Sequence, residues 1–280
     1  MKKLKFLAFV AFLITFTTIF SSCKKEDEDK KETSTSIATE YAFTEIVFKD
    51  LYNQAVRGML IAHDSVTGGT KSVNLSGNCA TLTIIPFDLL TFPKEITINF
   101  GTSNCLCDDG VYRRGEIFIT TTGWYEDSST VINITPKNYF VNENYIDGTK
   151  IITNKGKNTN GNLVFNLVIK GKVSNSRGTR TLTSARENEW IEGDSTIFNP
   201  FDDVYMIRGG GEGTTAKNES YKFVINSALR VQTNCKWITE GSLTITFDKL
   251  VFLVNYGDGT CDPNATVYVN GYSYPITIGQ

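Results

Sequence analysis

Four cysteines of this sequence could do redox chemistry, because they form two pairs with the same spacing. Cys79 stands 26 residues before Cys105, and Cys235 stands 26 residues before Cys261. The same short motif precedes the second cysteine of each pair: Asn99-Phe100-Gly101 and Asn255-Tyr256-Gly257. In an oxidising compartment such thiols pair, so the sequence predicts two disulfides, Cys79–Cys105 and Cys235–Cys261. It also predicts an internal repeat over about 71–123 and 231–280.

Cys107 has no counterpart in the second unit, where Pro263 stands at the matching position. We expect it either to be unpaired or to replace Cys105 as the partner of Cys79. A zinc site built from these cysteines is disfavoured, because Cys-x-Cys is not the usual finger spacing and exported thiols tend to oxidise. No metal and no cofactor are therefore expected.

Catalysis by a Ser-His-Asp or Cys-His arrangement would need His63, the only histidine of the chain. We interpret it instead as an imidazole near a helix end. A glycosidase needs only two carboxylates, and the candidates for that chemistry are Asp108-Asp109, Glu187 with Glu189, and Asp202-Asp203. Their separation in space cannot be inferred from sequence spacing on a β fold.

Two further groups could bind a ligand. Asp258 and Asp262 supply oxygen ligands at short spacing, as part of a calcium loop would, but the later acidic ligands of an EF-hand are missing. A turn held by the disulfide, with both Asp residues capping it, is the preferred interpretation. Trp190 lies among charged and polar neighbours, so we expect an exposed ring that could contact a ligand such as a sugar.

The N-terminus predicts export. Three lysines, at positions 2, 3 and 5, precede an uncharged and largely apolar run from Phe6 to Phe20. This run is shorter than the ~20 residues of a membrane span and small residues follow it, which is typical of a signal peptide over 1–22. The segment 24–36 has almost only charged and hydroxyl side chains, so a disordered tether is expected over 23–36.

The segment Ile19-Phe20-Ser21-Ser22-Cys23 resembles the bacterial lipobox, although Phe20 stands where Leu is usual. The resemblance implies a diacylglycerol anchor on Cys23; an ordinary signal peptide with an incidental cysteine is the alternative. Lysine followed by acidic residues after Cys23 resembles the export signal of surface lipoproteins of Bacteroidetes. This implies an outer-membrane protein facing outward, with the periplasmic side as the alternative, and it implies no reaction.

The ectodomain, 37–280, is predicted to be all-β with one N-terminal helix. Apolar residues recur at helical spacing over 42–63, and from Lys71 onward they alternate with Thr and Asn. Examples of the alternation are 95–100, 162–172 and 242–247. Frequent turn signals, including Asp147-Gly148 and Gly209-Gly210-Gly211, favour about a dozen antiparallel strands. The architecture is either a β-sandwich or a long twisted meander.

Charge and composition narrow the function. Without residues 1–22 the net charge moves from −2 to −5, so nucleic acid is not an expected partner. The first hypothesis is a non-catalytic surface lipoprotein with a structural or binding role, whose partners are the membrane, through its lipid, and other surface proteins. A glycan-binding accessory protein is the second hypothesis, and a carboxylate-based hydrolase is the third.

Overall fold

The computed structural model describes the backbone of residues 2–69, 73–75 and 79–278, and the side chains of 26–69 and 79–278. The side chains of the expected signal peptide and of Cys23 therefore lie outside the described residues. Within the described part, the chain forms one α-helix, fifteen strands and two short 3-10 turns. No helix within these limits has a stretch both long and apolar enough to cross a membrane.

The elements follow one another with short connections. Helix α1 spans Lys2–Gly68, and the 3-10 turns are η1, Asp194–Thr196, and η2, Pro200–Asp202. The strands are β1 Val73–Leu75, β2 Ala80–Ile85, β3 Lys94–Asn99, β4 Cys105–Leu106, β5 Tyr112–Thr121, β6 Val131–Val141, β7 Asn144–Lys157, β8 Leu163–Asn175, β9 Gly178–Glu192, β10 Val204–Thr214, β11 Ser220–Gln232, β12 Ile238–Phe247, β13 Leu250–Asp258, β14 Asn264–Val269 and β15 Tyr272–Thr277.

All fifteen strands belong to one hydrogen-bonded antiparallel sheet, in which the order of strands follows the order of the chain. The short β4 is the exception, since it pairs only with β5. The alternation predicted for 162–172 is confirmed, because Leu163, Phe165, Leu167 and Ile169 are buried in β8. The prediction of a mostly antiparallel β protein with one N-terminal helix is therefore confirmed.

Between Ser34 and Ser65, helix α1 is buried over much of its circumference, although the sequence predicts only an amphipathic helix over 42–63. It contacts strands from both ends and from the middle of the sheet, including β2, β3, β7, β9, β13 and β15. A helix that is apolar on nearly all sides must be surrounded by protein. The hydrophobic core therefore lies between α1 and the inner face of the sheet.

Three carboxylates of α1 form bidentate ion pairs with arginines of the sheet. Glu40 accepts from Nε and Nη2 of Arg180 at 2.6 and 2.8 Å. Both side-chain oxygens of Glu45 accept from Arg186, and those of Asp50 accept from Arg113. The carboxylates are five residues apart, which turns each by roughly 140° from the last. They thus point to three sides of the helix, and each still meets the sheet.

Glycines inside strands allow close packing of backbone and side chains. Gly148 lies opposite Gly171 in the β7–β8 pair, and a Cβ on Gly171 would lie 2.7 Å from Cζ of Phe48 on α1. Gly209-Gly210-Gly211 lies within β10 and includes a bulge. The prediction of turns at both glycine sites is wrong, because glycine also marks strand positions where another chain segment comes too close for a side chain.

The charged segment behind Cys23 is helical, so the prediction of a disordered tether over 23–36 is not what the structure has. Lys30 pairs with Glu26 at 2.6 Å across one turn, and Lys31 lies over the ring of Tyr274 at 5.3 Å. Lys and Glu are good helix formers and their pairs at this spacing stabilise a helix without any apolar face. The polar composition of residues 23–36 was therefore not enough to exclude a helix there.

The two cysteine units have the same local structure near opposite ends of the sheet. Disulfides join Cys79 to Cys105 and Cys235 to Cys261, in agreement with the predicted pairs. Near the end of β3 and of β13, an Asn side chain accepts from the amide of the glycine two residues on: Asn99 from Gly101 at 2.7 Å, and Asn255 from Gly257 at 2.8 Å. The aromatic residues between them, Phe100 and Tyr256, are both buried.

We expect Glu45→Gln to lower the free energy of unfolding by about 3–5 kcal/mol, because it leaves Arg186 buried without a counter-charge. Asp147→Asn is the matched control, since Asp147 pairs with Lys172 at 3.1 Å with both side chains nearly half exposed, and such pairs contribute about 0–1 kcal/mol. Urea unfolding of both variants measures the difference. If both variants lose the same free energy of unfolding, the ion pair of Glu45 contributes no more than an exposed pair.

Candidate functional site

A wide cleft runs along α1 on the side where loops of the sheet approach it. Its volume is about 1000 Å³. The helix contributes Glu40, Phe43 and Asp50, and the loops that follow β6, β8 and β11 form the opposite wall. The cleft is large enough for a ligand, and its lining is mostly polar.

A smaller chamber lies next to this cleft, between the helix and the sheet. Five residues line both spaces: Ile46, Lys49, Asn53, Thr233 and Lys236. The chamber has a volume of about 70 Å³, about half of the ~150 Å³ cavity that holds benzene. We name these shared residues the mouth of the chamber, because they border both spaces.

The wall of the chamber is largely apolar, with a few polar side chains at inward positions of the sheet. Leu167, Ile169, Ile207 and Leu229 supply apolar surface. Lys150 on β7 and Arg186 and Asn188 on β9 supply the polar groups. An apolar pocket with few fixed polar groups is the usual form of a small-molecule site.

Lys150 is the charged side chain of the chamber with the fewest partners that offset its charge. Its side chain is 4% exposed and lies 4.4 Å over the ring of Tyr52. No hydrogen-bond acceptor for its Nζ is found among the described residues. Burial, together with the nearby charge of Arg186, lowers the pKa of Lys150 from 10.5 to about 7, against the raising effect of Glu45. The neutral amine is therefore far more populated near neutral pH than in an exposed lysine.

The other charges of the chamber leave an excess of positive groups. Four of its charged side chains are basic, and Glu45 is the only acidic one in the lining. Arg186 occupies both oxygens of Glu45. Lys49 donates to the backbone carbonyls of Gln232, at 3.0 Å, and Cys235, and burial lowers its pKa to about 8. Nε of Arg186 and Oδ1 of Asn188 have no hydrogen-bond partner among the described residues.

A chain of hydroxyl groups leads from the chamber into the core. Tyr52 and Tyr125 share a hydrogen bond of 2.7 Å, Tyr125 and Tyr205 share one of 3.2 Å, and Tyr205 donates to Asp203 at 3.4 Å. Burial and the neighbouring charge of Asp202 raise the pKa of Asp203 to about 7, although Tyr205 and Trp190 oppose the shift. Since Tyr52 and Tyr205 line the chamber, this chain couples the chamber to a buried carboxyl group.

Trp190 is buried, so the prediction of an exposed ring that contacts a ligand is wrong. Its side chain is 1% exposed and stacks with Tyr205 at 5.8 Å between ring centroids. Trp190 lies on the inner face of β9 with Arg186 and Asn188. Its polar sequence neighbours include these buried polar groups, and the sequence alone could not separate them from surface residues.

Cys107 is buried and unpaired, as the cysteine spacing favours. Its Sγ lies 3.8 Å from the carbonyl oxygen of Cys105, and burial raises the pKa of the thiol despite the nearby Arg113. A raised pKa disfavours the thiolate, which is the nucleophilic form of cysteine.

His63 stacks on Trp124, with ring centroids 4.2 Å apart, and its Nδ1 lies 3.1 Å from Glu126. It also contacts Phe198. Neither a serine nor a cysteine is among these contacts, and the helix continues to Gly68 beyond His63. The imidazole is therefore part of an aromatic cluster rather than a helix-end group.

Two of the carboxylate candidates, Asp109 and Glu189, are held by hydrogen-bond donors. Asp109 accepts from Arg113 at 2.8 and 2.6 Å, and these bonds outweigh its burial and lower the pKa of Asp109. Glu189 accepts from Asn158 and Asn162, which also lowers its pKa. A general acid needs a raised pKa. Asp203 has one, but it lines neither the cleft nor the chamber.

The calcium candidates cap turns. Asp258 accepts from the hydroxyl of Thr260 at 2.9 Å, and Asp262 accepts from the amide of Asn264 at 2.8 Å. Among the described residues, no three metal-ligating side chains cluster. The turn interpretation therefore fits the contacts of both residues.

Exposed aromatic rings are found at strand ends and loops rather than along the middle of the sheet. They are Tyr112, Phe198, Phe201, Tyr268 and Tyr272. The outer faces of central strands carry residues such as Asn166, Val168, Thr183 and Val224. Only Tyr268 and Tyr272 share one hairpin, formed by β14 and β15.

We expect Lys150→Met to raise the free energy of unfolding by about 3–5 kcal/mol below pH 7. Between pH 7 and 10.5 the unfolded chain binds one proton more than the folded chain, so the stability of the unmodified protein rises with pH. The gain from Lys150→Met should therefore shrink as pH rises from about 7 to 9. Urea unfolding at several pH values measures it. Lys170→Met, on the exposed side of β8, is the control, and a gain independent of pH would contradict the assigned environment of Lys150.

Comparison with known proteins gives no relative from which a role could be transferred. No family model, no curated protein and no solved structure matches this chain. The function must therefore be inferred from the contacts of the chain itself.

Proposed function

We propose that this chain is a non-catalytic binding lipoprotein, anchored in the outer membrane through Cys23 and facing the cell exterior. The lipobox-like segment before Cys23 and the lysine and acidic residues after it support the location. The observation that carries the binding role is the chamber beneath α1, with the uncompensated Lys150 in its wall.

The proposal includes the architecture of the ectodomain. We take the sheet as a single long meander that curves around α1, in preference to two packed sheets. Sequential strand pairing and the contacts of α1 with strands from both ends of the sheet support this choice. A scaffold of this kind holds the cleft and the chamber between one helix and one sheet, so the site is formed before any ligand arrives.

The non-catalytic part of the proposal is supported by the state of the reactive side chains. Asp109 and Glu189 have lowered pKa values because of their hydrogen-bond donors, and the thiol of Cys107 has a raised pKa. Each shift is opposite to what its residue would need as a general acid or as a nucleophile.

Glycan capture is the second candidate function. The observation that favours it is the β14–β15 hairpin, on which Tyr268 and Tyr272 are both exposed and Tyr272 stacks with Tyr274 at 6.4 Å. Aromatic rings of this kind present apolar faces with a polar tip, as sugar-binding surfaces require.

We expect an alkyne-tagged fatty acid fed to the producing cells to label the protein, and Cys23→Ser to abolish the label. Only the thiol of Cys23 is placed for diacylglycerol transfer, so Cys107→Ser is the matched control and should keep the label. Protease treatment of intact cells should digest the ectodomain if it faces outward. Label that persists on Cys23→Ser, or an ectodomain protected on intact cells, would contradict the anchor or the outward location.

Binding is tested with the full chain in detergent against a panel of glycans, organic acids, amines and alcohols. We expect Asn53→Trp, which fills the mouth of the chamber, to weaken binding by about tenfold or more, equivalent to ~1.4 kcal/mol. Asn166→Trp, on the outer face of β8, should leave binding unchanged. If Tyr272→Ala removes glycan binding while Asn53→Trp does not, glycan capture on the hairpin replaces the chamber as the function.

A further inference from the structure

We propose that the chamber beneath α1 binds the carboxylate of a small aliphatic acid, with Lys150 as its counter-charge. This inference rests on the proposed binding function and names the ligand class of the same site. It follows from the charges, the free donors and the shape of the chamber.

Among the described residues, no carboxylate forms an ion pair with Lys150, and its only close partner is the ring of Tyr52 at 4.4 Å. A buried ammonium group without a counter-charge is costly, and it must either lose its proton or acquire an anion. Glu45 is the only carboxylate in the chamber lining, and Arg186 holds both of its oxygens. An anionic ligand would supply the missing charge.

The same wall provides a second donor. Nε of Arg186 is buried and has no acceptor among the described residues. Arg186 and Lys150 both line the chamber, and the charge of Arg186 contributes to lowering the pKa of Lys150. Two positively charged side chains thus border one space, and an anion in that space would interact with both.

The apolar lining and the volume of the chamber determine which non-charged part of a ligand fits. Leu167, Ile169, Ile207, Leu229, Val231 and Ile238 line it. A volume of about 70 Å³ is about half of the ~150 Å³ cavity that holds the six carbons of benzene, so it accommodates the carboxylate group of a ligand. The aliphatic chain of butanoate would extend through the mouth at Asn53 into the cleft.

Binding should depend on pH through the amine. The titratable and charged groups that face Lys150 are Glu45, Lys49 and Tyr52 on α1, Arg186 on β9, Tyr205 on β10 and Lys236 after β11. Glu45 and Arg186 neutralise each other, and burial raises the pKa of Tyr52 to about 12, so it stays neutral. Lys49 and Lys150 are then the groups that gain protons as pH falls from about 9 to 6, and both changes favour an anion.

The experiment is isothermal titration of the full chain in detergent with butanoate, n-butanol and n-butylamine, which share one aliphatic body. We expect butanoate to bind, and the alcohol and the amine to bind at least about 30-fold more weakly. Butanoate affinity should fall as pH rises from about 6.5 to 8.5. Lys150→Met should remove butanoate binding, whereas Lys170→Met should leave it unchanged. Thermal unfolding confirms that each variant is folded.

Equal affinity for butanoate and butanol would overturn the proposal, because Lys150 would then contribute no charge. If inorganic phosphate binds as tightly as butanoate, the site binds anions in general and the proposed preference for an aliphatic acid is wrong. If another member of the panel binds and Asn53→Trp blocks it while butanoate does not bind, the chamber functions but its ligand class is different. If nothing binds through the mouth at all, the binding function itself fails.

Discussion

The ion pairs between α1 and the sheet are the constraint on which the other features depend. Arg113, Arg180 and Arg186 are buried, and a buried guanidinium is tolerated only with a partner that satisfies its charge and its donors. Each arginine obtains that partner from the helix. Because Glu40, Glu45 and Asp50 point to three sides, they fix both the rotation of α1 and its position along the sheet.

The same pairs define the chemistry of the chamber. Glu45 would otherwise be the counter-charge for Lys150, but its engagement with Arg186 leaves the lysine without one. The interaction that attaches the helix thus also creates the uncompensated positive charge at the site. A substitution of Arg186 would therefore change both the attachment of α1 to the sheet and the charge balance around Lys150.

Local patterns were enough to predict much of the fold. Alternation over 162–172 identified the inner face of β8, because side chains of a strand point to opposite faces. Equal spacing identified the cysteine partners, because two similar hairpins bring their cysteines together in the same way. These signals work since the contacts that they report lie within one strand or one hairpin.

The site could not be predicted in this way, because it depends on residues far apart in the chain. Lys150 and Arg186 do stand at inward positions of alternating strands, and that is the one signal that could have marked them. Nothing in the sequence says that Arg186 meets Glu45, 141 residues earlier, and leaves Lys150 alone. The exposure predicted for Trp190 is wrong for the same reason. The polar residues near it in the sequence are themselves partly buried, so they do not indicate a surface position.

The position of α1 at the start of the chain has a consequence for the timing of assembly. A chain is synthesised from its N-terminus, so the helix is complete before any strand exists. Arg180 is made 140 residues after Glu40, and at about 5–20 residues per second that interval is roughly 7–28 s. During this interval the apolar and acidic faces of α1 have no partner within the chain.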